Sequence, residues 1–221
     1  MKIAIIGAGN VGGALGKAWA KAGHTIIFGV RNPGQGKTQP PLAMIGPAAS
    51  SAAIPDAVKQ ADVVVLATPW AAVAEVIPVM GALKGKVLID CTNPLSLQGD
   101  GSLSLSVGFT TSGAEEIERM APGALVAKAF NTYGYENFEN PSYPNNAGLK
   151  PVMFFCTDSE LARDAVVRLA KDLGFEPQDT GGLGMARSLE PLALMWIRLA
   201  IRSGRNPNFT WAVLRREAAP A

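Results

Sequence analysis

The opening of the chain contains the feature that most restricts its fold. Lys2 to Ile6 form a short apolar run that predicts a strand, and Gly7, Gly9 and Gly12 follow in the spacing G-x-G-x-x-G. From Asn10 to Lys21 the apolar residues recur at steps of three and four, which indicates an amphipathic helix. A strand, a glycine turn and a helix in direct succession form the context in which this spacing predicts a dinucleotide-binding site.

Each glycine has a physical reason to stand where it does. Gly7 permits the tight turn, Gly9 lets the backbone approach a pyrophosphate, and Gly12 lets the helix pack closely on the strand. The unpaired N–H groups at the start of the helix, at Asn10 and Val11, offer a positive end to the phosphates. The alternative is a glycine-rich turn that binds no ligand.

Apolar runs and amphipathic stretches alternate along the rest of the chain. They predict a Rossmann-type, doubly wound, mainly parallel α/β sheet with helices on both faces, in a strand order that begins 3-2-1-4-5-6. The predicted strands are 2–6, 25–30, 47–51, 62–68, 86–91, 125–130, 151–157 and 175–179, and the predicted helices are 10–21, 54–60, 70–83, 112–120, 159–173 and 188–203. We predict one dinucleotide-binding domain over residues 1–221, with a C-terminal helical extension from about residue 184.

Three stretches are predicted to be irregular connections, at residues 35–46, 92–111 and 131–150. The last two follow strands five and six, so they lie at the carboxyl edge of the sheet, where ligands bind in this architecture. The last helix is predicted to bury an apolar face made of Leu192, Met195, Trp196 and Leu199.

The residues after the second strand indicate which dinucleotide binds. Sites for NAD use an acidic residue there to bind the ribose hydroxyl, but no Asp or Glu occurs before Asp56. Arg31 stands at this place instead, with Lys37 nearby, and a guanidinium group pairs well with a 2′-phosphate. The sequence therefore predicts NADP(H). The alternative is that Arg31 is a solvated turn residue.

Composition excludes several other partners. The net charge is only +2 and no basic cluster is interleaved with aromatic residues, so we expect no nucleic acid. No apolar run reaches the ~20 residues of a membrane span, and we see no secretory leader.

Cys91 and Cys156 are expected to be buried free thiols, consistent with a cytoplasmic protein, and with one histidine they provide no zinc site. Leu189 to Ile201 is more apolar than a solvent-facing helix should be, which a homodimer and burial within the same domain explain equally well.

Six motifs spread over nearly the whole chain carry a resemblance to a known family. They are GAGNVG at residues 7–12, VRNP at 30–33, ATPW at 67–70, DCTNPL at 90–95, KAFNT at 128–132 and ARSLEPLALMWIRLA at 186–200. Together they resemble the NADP-dependent oxidoreductases of the deazaflavin (coenzyme F-420) type. The dinucleotide fold of that family is shared with the cytosolic reductase domain of the six-transmembrane metalloreductases.

The resemblance implies that residues along the whole cleft bind the cofactor. Val30, Arg31 and Asn32 would hold the 2′-phosphate, although Val30 lacks the hydroxyl group of the serine that is common at this place in the family. The other implied binding residues are Thr68, Pro69 and Trp70 at the middle of the cofactor, Asn93 and Pro94 at the nicotinamide ribose, Ala129, Phe130 and Asn131 at the ring, and Met185, Ala186 and Arg187 on the opposite wall. Trp70 and Phe130 could instead be packing residues, and His24, which lies far from the carboxyl edge, is expected to be structural.

These observations predict an NADP(H)-dependent oxidoreductase that passes hydride between NADPH and a deazaflavin, a flavin or a similar small-molecule acceptor. Transfer between two such rings needs orientation more than a protein acid, so no catalytic side chain is assigned. One alternative is an NADPH-dependent reductase of a small carbonyl or imine, for which Tyr133, Lys128 or Glu190 would have to supply a proton. A second alternative is a non-catalytic NADP(H)-binding sensor.

Overall fold

The structure is a computed structural model that describes residues 1–33, 39–144 and 148–216. Its strands are β1 (Lys2–Ile6), β2 (Thr25–Val30), β3 (Ala49–Ala53), β4 (Val63–Leu66), β5 (Val87–Asp90), β6 (Leu95–Leu97), β7 (Leu103–Leu105), β8 (Leu125–Lys128), β9 (Val152–Thr157) and β10 (Glu176–Asp179). Its helices are α1 (Asn10–Lys21), α2 (Gln39–Ile45), α3 (Ile54–Gln60), α4 (Val73–Val79), α5 (Gly113–Met120), α6 (Glu136–Glu139), α7 (Glu160–Asp172) and α8 (Ala186–Arg202).

Eight strands form one sheet in the order β10-β9-β8-β5-β4-β1-β2-β3, and β6 pairs only with β7. All neighbours in the large sheet run parallel except β8 and β9, which are antiparallel. Because β8 is the sixth strand of the prediction, the expected order 3-2-1-4-5-6 is confirmed. The chain reverses its winding between β1 and β4, which is where this architecture binds ligands.

Both faces of the sheet are covered, as the unbroken apolar strands require. Ile3 and Ile5 of β1 pack into a core that includes Trp19 of α1, while Ala4 and Ile6 pack into a second core on the other face. The first core also contains residues of α7, and the second contains residues of α3, α4 and α5. The predicted Rossmann-type class is therefore confirmed.

Three predicted connections contain secondary structure that the sequence pattern did not indicate. Helix α2 lies within residues 35–46, the β6–β7 hairpin within 92–111, and the single turn α6 within 131–150. Prolines 40 and 41 stand in the first turn of α2, where a missing N–H is tolerated, so the expectation of a proline-containing loop was wrong. The hairpin strands have three residues each, too few for a periodicity to appear.

The buried face of α8 differs from the predicted one. Leu189, Ala193, Trp196 and Ala200 are buried, whereas Met195 and Leu199 are 48% and 41% exposed. The helix is rotated in this way because the buried face also contains a charged residue, Glu190, whose partners lie in the interior. No helix in the described residues is both long and apolar enough to cross a membrane. Cys91 and Cys156 are buried free thiols, as predicted.

Candidate functional site

The glycine turn between β1 and α1 has no room for side chains at two of its three positions. Gly7 has a φ of +109°, and a Cβ atom there would lie 2.6 Å from the carbonyl oxygen of Ala67. A Cβ on Gly12 would lie 2.1 Å from the carbonyl oxygen of Gly7. Nothing lies within 4 Å of the corresponding position on Gly9. The turn is thus tight at Gly7, closely packed at Gly12 and open at Gly9, as the motif predicts.

A cleft of about 760 Å³ opens beside this turn, within the size range of small-molecule sites. Seven of the residues predicted from the sequence line it: Gly9, Asn10, Val11, Thr68, Pro69, Trp70 and Asn93. The remaining lining residues are Ala8, Gly13, Ala14, Pro41, Met44, Ala67, Cys91, Thr92, Leu95, Tyr135 and Glu139. The cleft therefore runs from the start of α1 to the carboxyl ends of β4 and β5.

The start of α1 presents backbone donors to the cleft. Gly9 is the N-cap residue, no side chain caps the helix in the described residues, and its first turn contains no acidic residue. The first N–H groups of a helix have no partner within the helix and carry a partial positive charge. Together with the open space over Gly9, this arrangement fits a pyrophosphate group.

The residues predicted to hold the 2′-phosphate follow β2, which pairs directly with β1. Val30 is partly buried, and Arg31 and Asn32 are exposed outside the cleft lining. A guanidinium nitrogen of Arg31 lies 3.3 Å from a carboxylate oxygen of Glu75, and both side chains are more than 70% exposed. Arg31 thus stands at the same edge of the sheet as the glycine turn, where a solvent-exposed ion pair contacts its guanidinium group. Lys37 lies outside the described residues.

At the other end of the cleft two asparagines are joined by two hydrogen bonds, one donated by each side chain. The Asn93 side chain donates to the Asn131 carbonyl at 3.0 Å, and the Asn131 side chain donates to Asn93 Oδ1 at 3.0 Å. Asn131 is buried and lies behind Asn93 instead of on the cleft surface. Pro94 is buried, and its carbonyl oxygen accepts from both the amide and the hydroxyl of Ser106, which directly follows β7.

The other residues implied for the ring end have different positions. Ala129 and Phe130 are buried in the first core instead, because β8 lies in the middle of the sheet and the Phe130 ring contacts Trp19 edge-to-face at 5.2 Å. Ala186 is also buried, and Arg187 pairs with Glu115 at 2.6 Å outside the cleft lining. Met185 is 40% exposed and does not line the cleft either.

The three side chains considered as proton donors are all away from the cleft. Lys128 is fully buried, with its Nζ 2.7 Å from Asp90 Oδ2 and 2.8 Å from Glu190 Oε1. Burial alone would lower the pKa of Lys128, but the two carboxylates outweigh that effect and raise it. Tyr133 donates to the Val152 carbonyl at 3.3 Å in the core, and its burial raises its pKa well above the usual value. None of these groups reaches the cleft surface.

Three titratable side chains line the cleft in the described residues: Cys91, Tyr135 and Glu139. Burial, with a contribution from the charge of Asp90, raises the pKa of the Cys91 thiol well above its usual value. Tyr135 has a raised pKa because of the neighbouring charge of Glu136. Glu139 pairs with Lys17 at 2.9 Å. None of the three was predicted from the sequence to line the cleft, although Cys91 stands two residues before Asn93 in the same motif.

His24 has the structural role expected of it. Its ring is 3% exposed and lies between the amino terminus, at 3.2 Å, and Asp172 of α7, at 2.9 Å. His24 therefore links the segment that follows α1 to the end of α7, and it does not line the cleft.

Several known proteins are similar to this chain. Residues 2–94 match the family described as NADP oxidoreductase, coenzyme F420-dependent. The F420-dependent NADP reductase of Methanothermobacter thermautotrophicus is 30% identical over 214 residues, which covers 92% of this chain and 90% of that protein. Rat metalloreductase STEAP3 is 25% identical over 87% of this chain, and the chain spans 36% of the length of that relative.

Among solved structures, a candidate F420-dependent NADP reductase from Arthrobacter sp. FB24 superimposes with a TM-score of 0.86 and is 32% identical. The alignment covers 97% of this chain and all of that one. The extent and identity of these matches decide the assignment: the chain belongs to the family of coenzyme F420-dependent NADP oxidoreductases.

Proposed function

We propose that this protein transfers hydride between NADPH and a ring acceptor, with the deazaflavin coenzyme F420 as the first candidate and a flavin as the second. The observation that carries the proposal is the cleft itself. It begins at a helix N-terminus suited to a pyrophosphate, continues to Asn93, and contains no lysine or histidine among its described lining residues.

NADP(H) would extend along the cleft from the glycine turn. Gly9, Asn10 and Val11 would hold the pyrophosphate, and Thr68, Pro69 and Trp70 would border the middle of the molecule. The ring of Trp70 also packs against the second core, so this residue combines packing with a position on the cleft. The buried hydroxyl of Thr68 has no hydrogen-bond partner among the residues that the structure describes, which is consistent with a polar ligand group nearby.

The 2′-phosphate would bind to the turn after β2. Arg31 would exchange its exposed contact with Glu75 for the phosphate, which offers two parallel charge-assisted hydrogen bonds. Asn32 and the backbone at Val30 would complete this end, and Lys37 stays a predicted contact. The absence of a carboxylate before Asp56 leaves nothing to favour the free hydroxyl of NAD.

Bound NADPH supplies the hydride, and the protein would supply proximity and orientation. Asn93, held by Asn131, would form the wall at the nicotinamide end. Transfer to a deazaflavin ring requires no proton donor at the reacting carbons. This requirement fits the cleft, because Lys128 and Glu190 are buried in the interior and do not line it.

Reduction of a small carbonyl or imine is the rival reaction, because it requires a proton for the product oxygen or nitrogen. Tyr135 supplies a phenolic hydroxyl to the cleft lining and is the proposed donor of this proton. A non-catalytic NADP(H) sensor is the third possibility. It would bind NADPH in the same cleft and leave it unoxidised in the presence of any acceptor.

The decisive experiment offers purified protein NADPH with oxidised F420, FMN, FAD, ferric chelates and a panel of imines and carbonyls, with NADH in parallel. Turnover with F420 and a preference for NADPH supports the proposal. Turnover only with carbonyls or imines, abolished in Tyr135→Phe, favours the rival. Tight NADPH binding without turnover on any acceptor favours the sensor.

We further propose that the protein is a cytoplasmic homodimer that acts as a single domain. Two apolar side chains one turn apart on α8 support a dimer, because Met195 and Leu199 are 48% and 41% exposed. Light scattering of the purified protein and of Leu199→Glu tests this assignment: the variant is expected to be a monomer. A monomeric wild type would contradict it.

A further inference from the structure

Three charged side chains from three elements meet in the interior beneath the cleft. Asp90 ends β5, Lys128 ends β8, and Glu190 lies in the second turn of α8. The Lys128 Nζ atom lies 2.7 Å from Asp90 and 2.8 Å from Glu190, and none of the three side chains is more than 1% exposed. We call these residues the buried charge cluster.

The cluster is completed by the start of α5. Two carboxylates face one ammonium group, so one negative charge needs further compensation. The Glu190 carboxylate obtains it by accepting from the backbone N–H groups of Gly113, at 2.9 Å, and Ala114, at 3.2 Å. These are the first residues of α5, whose N-terminus carries a partial positive charge.

The cluster also fixes one residue of the cleft wall from both sides. The Thr92 N–H donates to Asp90 Oδ1 at 2.8 Å, and the Thr92 carbonyl accepts from Lys128 Nζ at 2.6 Å. The three protons of the ammonium group are therefore matched by three acceptors, on Asp90, Glu190 and Thr92. Thr92 and its neighbours Cys91 and Asn93 all line the cleft.

Stability alone does not account for such a cluster. A buried ion pair often contributes little net stability, because desolvation of the charges offsets their attraction, and apolar replacements are frequently neutral or better. What the cluster provides here is a defined position for a loop between a strand and a hairpin. Catalytic sites depend on such support, because small displacements of a positioning wall reduce the rate sharply.

We propose that Lys128 is a positioning residue for hydride transfer. Lys128 holds the Cys91–Asn93 wall in place through its hydrogen bond to the Thr92 carbonyl. Through its ion pair with Glu190, it also links the position of that wall to the position of α8. The inference rests on the proposed function, which assigns this wall to the nicotinamide end of NADP(H). Asn131 reinforces the link, since its side chain contacts both Asn93 and the carbonyl of Leu189 in α8.

The test separates the two ends of the cofactor. The variant Asp90→Asn/Lys128→Met removes one charge of each sign and leaves Glu190 on the α5 amides. The matched control is Arg163→Met/Asp179→Asn, which removes another ion pair, of 2.6 Å, between α7 and β10 and away from the cleft. The affinities for NADPH and for 2′,5′-ADP, a fragment without the nicotinamide half, are measured for both variants and the wild type.

We expect the cluster variant to bind 2′,5′-ADP within about two-fold of wild type and NADPH about ten-fold or more weakly, with kcat reduced in addition. The control is expected to match the wild type for both ligands. Equal weakening of both ligands, or no change in either, would overturn the positioning role. A wild type that does not bind NADPH would refute the proposed function itself, so the two failures are distinguishable.

If the cluster variant does not fold, hydrogen exchange of the wild type decides the matter. The amide of Thr92, which donates to Asp90 of the buried charge cluster and not to the sheet, is then expected to exchange as slowly as the amides of the central strands without any ligand present. Exchange of this amide as fast as that of the exposed hairpin would show that the wall is not held, and would overturn the inference.

Discussion

The glycine turn allows stability and cofactor binding to be separated by two substitutions three residues apart. In Gly12→Ala the new Cβ atom would lie 2.1 Å from the Gly7 carbonyl oxygen, and that oxygen belongs to the backbone of a tight turn. The helix and the turn would have to move apart by about 1 Å, and forced overpacking of this kind costs about 1–3 kcal/mol. We expect the upper end of this range, because no flexible side chain can yield.

In Gly9→Ala the same methyl group meets no atom within 4 Å. Gly9 has a φ of −79° and a ψ of −164°, which alanine can adopt. Alanine is a poorer N-cap than glycine, so a cost below about 1 kcal/mol is expected. The methyl group would, however, occupy space that the pyrophosphate needs, and NADPH binding should weaken at least ten-fold, about 1.4 kcal/mol.

Thermal unfolding and a fluorescence titration with NADPH measure both effects. For a chain of this size about 1 kcal/mol shifts Tm by roughly 2–4 °C, so Gly12→Ala should lower Tm by about 6–12 °C and Gly9→Ala by less than about 4 °C. A Gly12→Ala protein as stable as wild type would refute the packing argument. A Gly9→Ala protein that binds NADPH normally would show that the pyrophosphate does not lie on this turn.

Three further predictions concern single side chains. Arg31→Ala should weaken NADPH binding at least about ten-fold without affecting NADH, whereas the control Glu75→Gln should bind NADPH at least as tightly as wild type; equal losses for both nucleotides would contradict the 2′-phosphate assignment. The hydrogen bonds from Arg187 lower the pKa of Glu115 from 4.5, so its contribution to stability is present above that pH and is lost as the pH falls through the lower folded value. Glu115→Gln should accordingly lower Tm at about pH 7, and this loss should shrink as the pH falls below 4.5; an equal loss at every pH would exclude the ionised pair. Burial raises the pKa of Cys91, so iodoacetamide should label it only after unfolding, and labelling of the native protein near neutral pH would show that the thiol is open to solvent.

Local patterns were sufficient to predict the central part of the fold. The bounds predicted for β1, α1, β2 and α3 match the structure because each element has its own period and its own boundary residues. The Ser159 side chain caps α7 as expected, accepting from the Ala162 amide at 3.3 Å. Short elements such as β6 and β7 could not be predicted, since three residues carry no period and their stability comes from tertiary packing.

The candidate site was predictable only where the chain itself brings residues together. Gly9 and Thr68 lie at the carboxyl edge of adjacent strands, so topology alone places them in one cleft. Tyr135 and Glu139 reach the cleft from the N-cap and the last residue of α6, a turn with no sequence pattern of its own. The interior position of Lys128 was equally hidden, because its partners on β5 and α8 are 38 and 62 residues away in sequence and charge alone suggested a reactive group.

The central claim is that hydride passes directly from NADPH to a deazaflavin ring in this cleft. A single turnover with NADPH deuterated at the transferred position tests it most directly, with the reduced F420 analysed by mass spectrometry and NMR. Direct transfer predicts that the deuterium is recovered on the reduced deazaflavin ring. Bound NADPH that stays unoxidised, or reduced F420 that carries a proton from water instead, would contradict the claim.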